Sequence, residues 1–254
     1  MSTATTSVSV EREPQLLGQT VVVIGGSAGI GLETARLARS EAADVVLTAR
    51  DPKRLEDAAR ELSARSSAAF DADDAAAIKR FFDQLPDPID HVLIAAYTSG
   101  AYGPMLDRPS EEVGRAVGRR VTQVLEIARH AAPKMRPGGT LLLTGGSQRP
   151  FSREYGITAA AFSVLPPFTA ALALELAPVR VNLIQAAFVD TALAASYFPD
   201  ETAVEARRDE LRATLPIRRV VEPADIAALA VHLMSNTAIT GAAYDIDGGQ
   251  RLLD

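Results

Sequence analysis

Cysteine is absent from the 254-residue chain, which excludes a disulfide framework, a thiolate nucleophile and any cysteine-ligated metal. The three histidines, His91, His130 and His232, are widely separated, so a histidine metal site is not expected either. No block of Lys or Arg forms a sustained stripe, and the formal net charge is −6. Nucleic acid and anionic membrane surfaces are therefore poor partners, and small molecules better ones. Residues 1–13 are rich in Ser and Thr and end in Glu11-Arg12-Glu13, without the basic start and apolar run of a signal peptide; they read as a flexible tail. No apolar run of membrane-spanning length is expected, the longest mixed segments being interrupted by Pro or charge, and a cytoplasmic location follows by default.

What is present is a balance of 47% hydrophobic and 23% charged residues, enough for a sizeable core in a soluble globule. No composition shift divides the chain, so a single domain over 14–254 is expected. Its most informative stretch is Thr20-Val-Val-Val-Ile24-Gly25-Gly26-Ser27-Ala28-Gly29-Ile30-Gly31, where a buried strand runs into a glycine-rich turn and then a helix. Gly25 suits a tight turn, Gly29 lets the main chain approach a pyrophosphate, and Gly31 permits close packing of helix on strand. The phosphates would sit on the free amides and positive dipole end of the helix from about Ile30.

Strands at about 43–48, 67–70, 91–95, 140–144, 180–185 and 244–246 alternate with helical patterns at 30–40, 52–62, 74–84, 110–135, up to 176, 200–213 and 223–235. Pro137-Gly138-Gly139 is read as the stop of the long helix. Alternation of this kind implies an α/β fold with a parallel sheet covered on both faces.

In such folds an acid about 20 residues past the glycine motif holds the ribose hydroxyls of NAD, whereas an Arg there favours the phosphate of NADP. Ala49 and Arg50 end the second strand, so NADP(H) is preferred over NAD(H), with Arg50 clamping the ribose phosphate and the Ser27 hydroxyl assisting. Arg50 also reads as a solvated loop residue. Asp71 is either an acceptor for the adenine amino group or a helix cap.

Several further landmarks stand together: Leu174-Glu175-Leu176-Ala177-Pro178 before Val179-Arg180-Val181-Asn182, then Asp190-Thr191, then Glu222-Pro223-Ala224-Asp225-Ile226-Ala227, Thr240-Gly241 and Asp247-Gly248-Gly249. With the glycine loop they make the chain, from Gly18 to Gly249, resemble the short-chain dehydrogenase/reductase family. The resemblance implies a Rossmann-type doubly wound parallel sheet, a homotetramer or homodimer, a cofactor contact near Ala95, Thr191 on the nicotinamide carboxamide, and a substrate lid over about 190–216. Ala192-Leu193-Ala194-Ala195 and Tyr197-Phe198 in that lid suit an apolar substrate, and core packing explains them as well.

The family's chemistry uses a Tyr-x-x-x-Lys pair, a Ser at the end of the fifth strand and an Asn on the long helix. By spacing these positions fall on Thr158, Phe162, Gly146 (with Ser147 adjacent) and Arg120. The usual Asn-Asn-Ala-Gly reads Ala95-Ala96-Tyr97-Thr98, and the usual Pro-Gly reads Ala186-Ala187. A Lys one turn from a Tyr lowers the phenol's pKa and grips the nicotinamide ribose, and Phe162 can do neither. Thr158 keeps a hydroxyl without an adjacent base, and loss of a positioned proton donor forfeits about 10²–10⁴-fold in rate.

Tyr155 is the best substitute donor if the helix already includes it; otherwise it is a partly exposed loop Tyr. Tyr97 could stack or donate, and Arg120 could bind an anionic substrate or polarise a carbonyl, unless Arg119-Arg120 is a charged helix face or oligomer contact. Ser147 takes the Ser role if the strand end shifts by one residue. Three readings remain: an NADP(H)-binding oxidoreductase for a small carbonyl or alcohol with a non-standard active site; a non-redox lyase, isomerase or cyclase acting on a polyketide-like or aromatic substrate; and a catalytically silent nucleotide-binding protein.

Overall fold

The computed structural model describes residues 13–86, 88–97, 104–147 and 155–253. The tail expectation, apart from residue 13, falls outside them, as do Thr98 and the loop residues before Tyr155. In chain order the elements are β1 (Thr20–Ile24), α1 (Gly29–Ser40), β2 (Asp44–Ala49), α2 (Pro52–Glu61), β3 (Ser66–Ala69), α3 (Ala75–Gln84), β4 (Ile89–Ile94) and α4 (Ser110–Ala131). They continue with β5 (Met135–Gly146), α5 (Gly156–Ser163), α6 (Leu165–Glu175), β6 (Arg180–Ala186), α7 (Ala192–Ala195), α8 (Glu201–Thr214), α9 (Pro223–Ser235) and β7 (Ala243–Ile246).

All strand pairs are parallel, in the order β3-β2-β1-β4-β5-β6-β7. Strand alternation sorts side chains between two cores. Val22, Ile24, Leu141 and Leu143 face α3, α4, α5 and α6 through Ile78, Phe82, Ile127, Phe162 and Leu172. Val21, Val23 and Leu142 face α1, α2 and α9 through Ala35, Leu55 and Ala230. The order reverses between β1 and β4, and in open sheets the crevice past the strand ends at that point is the ligand site.

Three expectations change. The long helix ends at Ala131 rather than near residue 135: Ala132–Lys134 tightens to a 3-10 turn around Pro133, which cannot donate to the helical ladder. Pro137-Gly138-Gly139 then lies inside β5, which already starts at Met135. The helix leading to Leu176 is two helices meeting at Val164, because Pro166 and Pro167 have no N–H to return to the preceding turn. Finally, Gly156–Glu175 is long and apolar enough, by length and composition, to cross a membrane, with mean hydropathy 1.7. Its Ile157, Phe162, Leu165 and Leu172 are buried, the last three in the core on the β5 side.

Candidate active site

Gly25 follows β1 with φ +95°, and a Cβ there would meet Ala96 N at 2.6 Å. That closeness arises because the amides of Ala95 and Ala96 both donate to Ile24 O, at 2.8 and 2.7 Å, drawing the chain after β4 against the turn. A Cβ on Gly31 would lie 2.0 Å from Gly25 O, so α1 can seat on the turn only with glycine here. Gly29 has φ +53°, and a Cβ would approach Thr191 Cγ2 at 3.3 Å, which places Thr191 over the loop. Ser27 and Ile30 are part-buried in the same turn. The N-cap of α1 is Ala28, which supplies no side-chain cap, and its first turn carries no acid. A helix end whose donors have no side-chain partner, reached through glycines, is a cradle for an anion.

Arg50 is exposed one residue beyond β2. The neighbouring carboxylate, Asp51, caps α2, accepting from Lys53 N (3.0 Å) and Arg54 N (3.1 Å). Lys53 and Arg54 were missed by the sequence reading. Both are exposed and occupy the first turn of α2, where the helix dipole disfavours cations. An anion bound nearby would relieve that local conflict. Asp71 is exposed and accepts from Asp73 N (3.0 Å), while the cap of α3 is Asp74, which accepts from Ala76 N (2.9 Å) and Ala77 N (3.1 Å). Asp71 therefore shapes the turn before α3 and is not its cap.

At the other end Phe162 fills the place that spacing assigns to a lysine. Its ring packs on Gly146, where a Cβ would come within 2.6 Å of Phe162 Cδ2. Tyr97 lies against the same ring, centroids 5.0 Å apart and planes at 38°. Thr158, one turn earlier on α5, has a buried hydroxyl with no hydrogen-bond partner. Tyr155 is the N-cap residue of α5, outside the helix and 40% exposed, so the condition for sharing Thr158's helical face is not met. Ser147 prolongs β5, its amide donating to Ala186 O (2.7 Å).

Arg120 is neither on a charged face nor open to a ligand. It is 4% exposed, and Nη1 donates to Ala96 O at 3.0 Å. Further bonds run from Nη1 to Gln123 and from Nη2 to Thr144 O, while Nε has no partner. Burial lowers its pKa to about 10, opposed by Tyr97 and Asp73, so it stays a cation at neutral pH. The carbonyls it holds belong to the chain ends beyond β4 and within β5, and Arg120 ties these two edges of the crevice together. Gln123 and the Gly146–Phe162 contact were not anticipated. The adjacent glycines of Gly145-Gly146 opposite an aromatic were the only trace of that contact in the sequence.

Among the described residues no cluster of His, Asp or Glu could hold a metal. Residues 25–251 match the family described as Enoyl-(Acyl carrier protein) reductase. A short-chain dehydrogenase/reductase of Stachybotrys chlorohalonatus is 26% identical over 255 residues, covering 93% of this chain and 98% of that protein. A putative ketoacyl reductase of Streptomyces coelicolor is 28% identical, covering 91% and 96%. Among solved structures, a small-chain dehydrogenase in complex with NADPH superposes with a TM-score of 0.78 at 26% identity, covering 93% of this chain and 100% of that one.

Proposed function

The chain belongs to the short-chain dehydrogenase/reductase family, and from that premise we propose that it is an NADP(H)-dependent oxidoreductase acting on a small carbonyl or alcohol with a non-standard proton donor. The observation that carries the reading is the glycine cradle: Gly25, Gly29 and Gly31 are each placed where side-chain bulk or an ordinary φ would obstruct the approach to the uncapped end of α1. The NADPH complex of a related dehydrogenase supports the same cofactor class. When bound, NADP(H) supplies or accepts hydride.

The residues of this chain would divide the remaining work. The amides opening α1 receive the pyrophosphate, Arg50 with the Ser27 hydroxyl, Lys53 and Arg54 faces the ribose phosphate, and Asp71 and Ala95 flank the adenosine. Thr191 holds the carboxamide. Tyr97 and Tyr155 are the phenols from which a proton can come, with Thr158 and Ser147 as hydroxyls that orient the substrate oxygen. Arg120 fixes the carbonyls around Tyr97 rather than touching substrate.

One observation favours a second reading. Phe162 puts an apolar ring where a ribose-gripping ammonium is expected, which suits a pocket that binds the nucleotide but performs non-redox chemistry or none. Titration with NADPH and NADH, then a carbonyl panel followed by NADPH absorbance, separates the two. The first reading expects NADPH to bind at least about tenfold tighter than NADH, Arg50→Gln to erase most of that margin, and Tyr97→Phe or Tyr155→Phe to lower turnover by about 10²-fold or more. Binding without consumption across the panel would support the second.

A further inference from the structure

Arg208 of α8 links two parts of the molecule that are distant in sequence. Its Nε lies 3.2 and 3.1 Å from the two oxygens of Asp190, and its Nη2 lies 3.0 Å from one of them. Its Nη1 donates to Glu201 at 2.7 Å and Glu205 at 3.0 Å, both on its own helix. These bonds, that to Asp190 foremost, raise the guanidinium's pKa above its ordinary value.

Asp190 is anchored from the other side. Its amide donates to Val221 O at 2.9 Å, and Val189 forms an isolated parallel bridge with Val221. The next residue, Thr191, accepts from Ala194 N at 3.1 Å to cap α7, and its methyl lies over Gly29. The ion pair thus joins α8 to the segment that faces the phosphate-binding turn. Apolar contacts support the same docking: Phe198 meets Phe188 edge to face at 6.1 Å, and Leu211 and Leu215 are buried with Val220.

The distribution of the carboxylates makes this attachment reversible. Glu201 and Glu205 neutralise one edge of Arg208 whether or not α8 touches Asp190. Undocking therefore costs only the two-pronged edge and returns Asp190 to water, without stranding a cation. The pair is half-buried, and added salt weakens it in part.

We propose that Arg208 is a positioning residue: by holding Asp190 it couples the 192–214 segment to Thr191, so that a dinucleotide at the glycine loop and the docked position of α8 stabilise one another. The proposal rests on the NADP(H) reading above, and thermodynamic linkage makes the coupling reciprocal.

Hydrogen exchange of the full chain with and without NADPH tests it, using wild type, Arg208→Met, Arg208→Lys and, as a control, Arg212→Met, whose side chain pairs with Glu205 and Asp209. NADPH is expected to slow exchange across 201–214 by about fivefold or more in wild type. In the ligand-free wild type, added salt speeds the same amides. Arg208→Met exchanges faster there without ligand, loses the NADPH-induced slowing and binds NADPH about fivefold more weakly. Arg208→Lys, with the charge but not the planar edge, falls between, and Arg212→Met follows wild type. If Arg208→Met does not fold, Arg208→Lys and Asp190→Asn carry the same comparison. NADPH binding with unchanged slowing in the Arg208 variants overturns the coupling alone, whereas a wild type that does not bind NADPH overturns the cofactor reading and the coupling with it.

Discussion

Phe162 and Gly146 make sense only as a pair. The ring rests on the glycine so closely that even a methyl at 146 would sit 2.6 Å from Cδ2, and the opposite neighbour, Tyr97, leaves the ring little room to retreat. The two departures from the family's catalytic residues are therefore one packing event, and a serine at 146 is incompatible with phenylalanine at 162. Gly146→Ala should cost about 1–3 kcal/mol by overpacking, and Phe162→Ala about 3–5 kcal/mol by leaving a cavity. Because Phe162→Ala empties the space that a methyl at 146 needs, the double variant should recover about 1 kcal/mol or more against the sum of the singles. Urea denaturation of the four proteins measures this, and strict additivity would mean that the contact does not govern the site. By the same logic, restoring a lysine at 162 has to precede restoring a serine at 146.

At the scale of elements, the sheet divides its labour between its ends. The carboxyl ends of β1, β4 and β5 carry the crevice, whereas the amino ends of β4 and β6 are fastened by buried polar groups. Arg180 donates to Leu233 O, Met234 O and Asn236 O at 2.7, 2.8 and 2.9 Å, satisfying carbonyls that the end of α9 leaves without helical partners. His91 is 3% exposed, with Nε2 2.6 Å from Gln19 Oε1 and Nδ1 unpaired. Burial, helped by the Arg180 charge, pushes its pKa down to about 3. A histidine ordinarily titrates near 6.5, so above that pH folded and unfolded chains are both neutral at this site and its contribution is complete. As pH falls below about 6.5 the unfolded chain takes up a proton that the fold refuses, and stability drops by up to roughly 1.4 kcal/mol per pH unit until about pH 3. Between pH 7 and 5 this amounts to a loss of up to ~2 kcal/mol in urea denaturation. His91→Gln should flatten the slope over that interval, and an unchanged slope would assign the acid sensitivity elsewhere. Elements of this sheet were legible in the sequence because hydrophobic runs and glycine turns are local. Boundaries set by other causes were not: the break at Val164 comes from two prolines read as part of one helix, and Pro137-Gly138-Gly139 lies in a bulge of β5 between Met135 and Thr140, whose partners Ile89 and His91 belong to a strand distant in sequence. The site divides in the same way. Gly25, Gly29 and Gly31 announce themselves by spacing, while the burial of Arg120 and the stacking of Tyr97 on Phe162 depend on residues brought together only by folding.

For the whole molecule, the remaining question is what faces the outer side of α5 and α6. Ser163, Pro167, Ala170, Ala171 and Leu174 are exposed at helical spacing, Leu174 by 84%, and the first charge after them is Glu175. Small residues on a helix let a second helix approach closely, and an exposed apolar strip of this length is costly to leave in water. Homo-oligomerisation through this face would account for both features, and it is the assembly that the family resemblance leads one to expect. Ala171→Glu places a carboxylate in the middle of the strip, and two copies related by a twofold axis would then bring two such charges together without partners. The variant should shift the mass measured by light scattering or sedimentation toward the monomer while the far-ultraviolet spectrum stays that of the wild type. The Ala171 side chain has no polar group and is exposed, so its replacement does not disturb the core, and an unchanged mass would place any contact on another face.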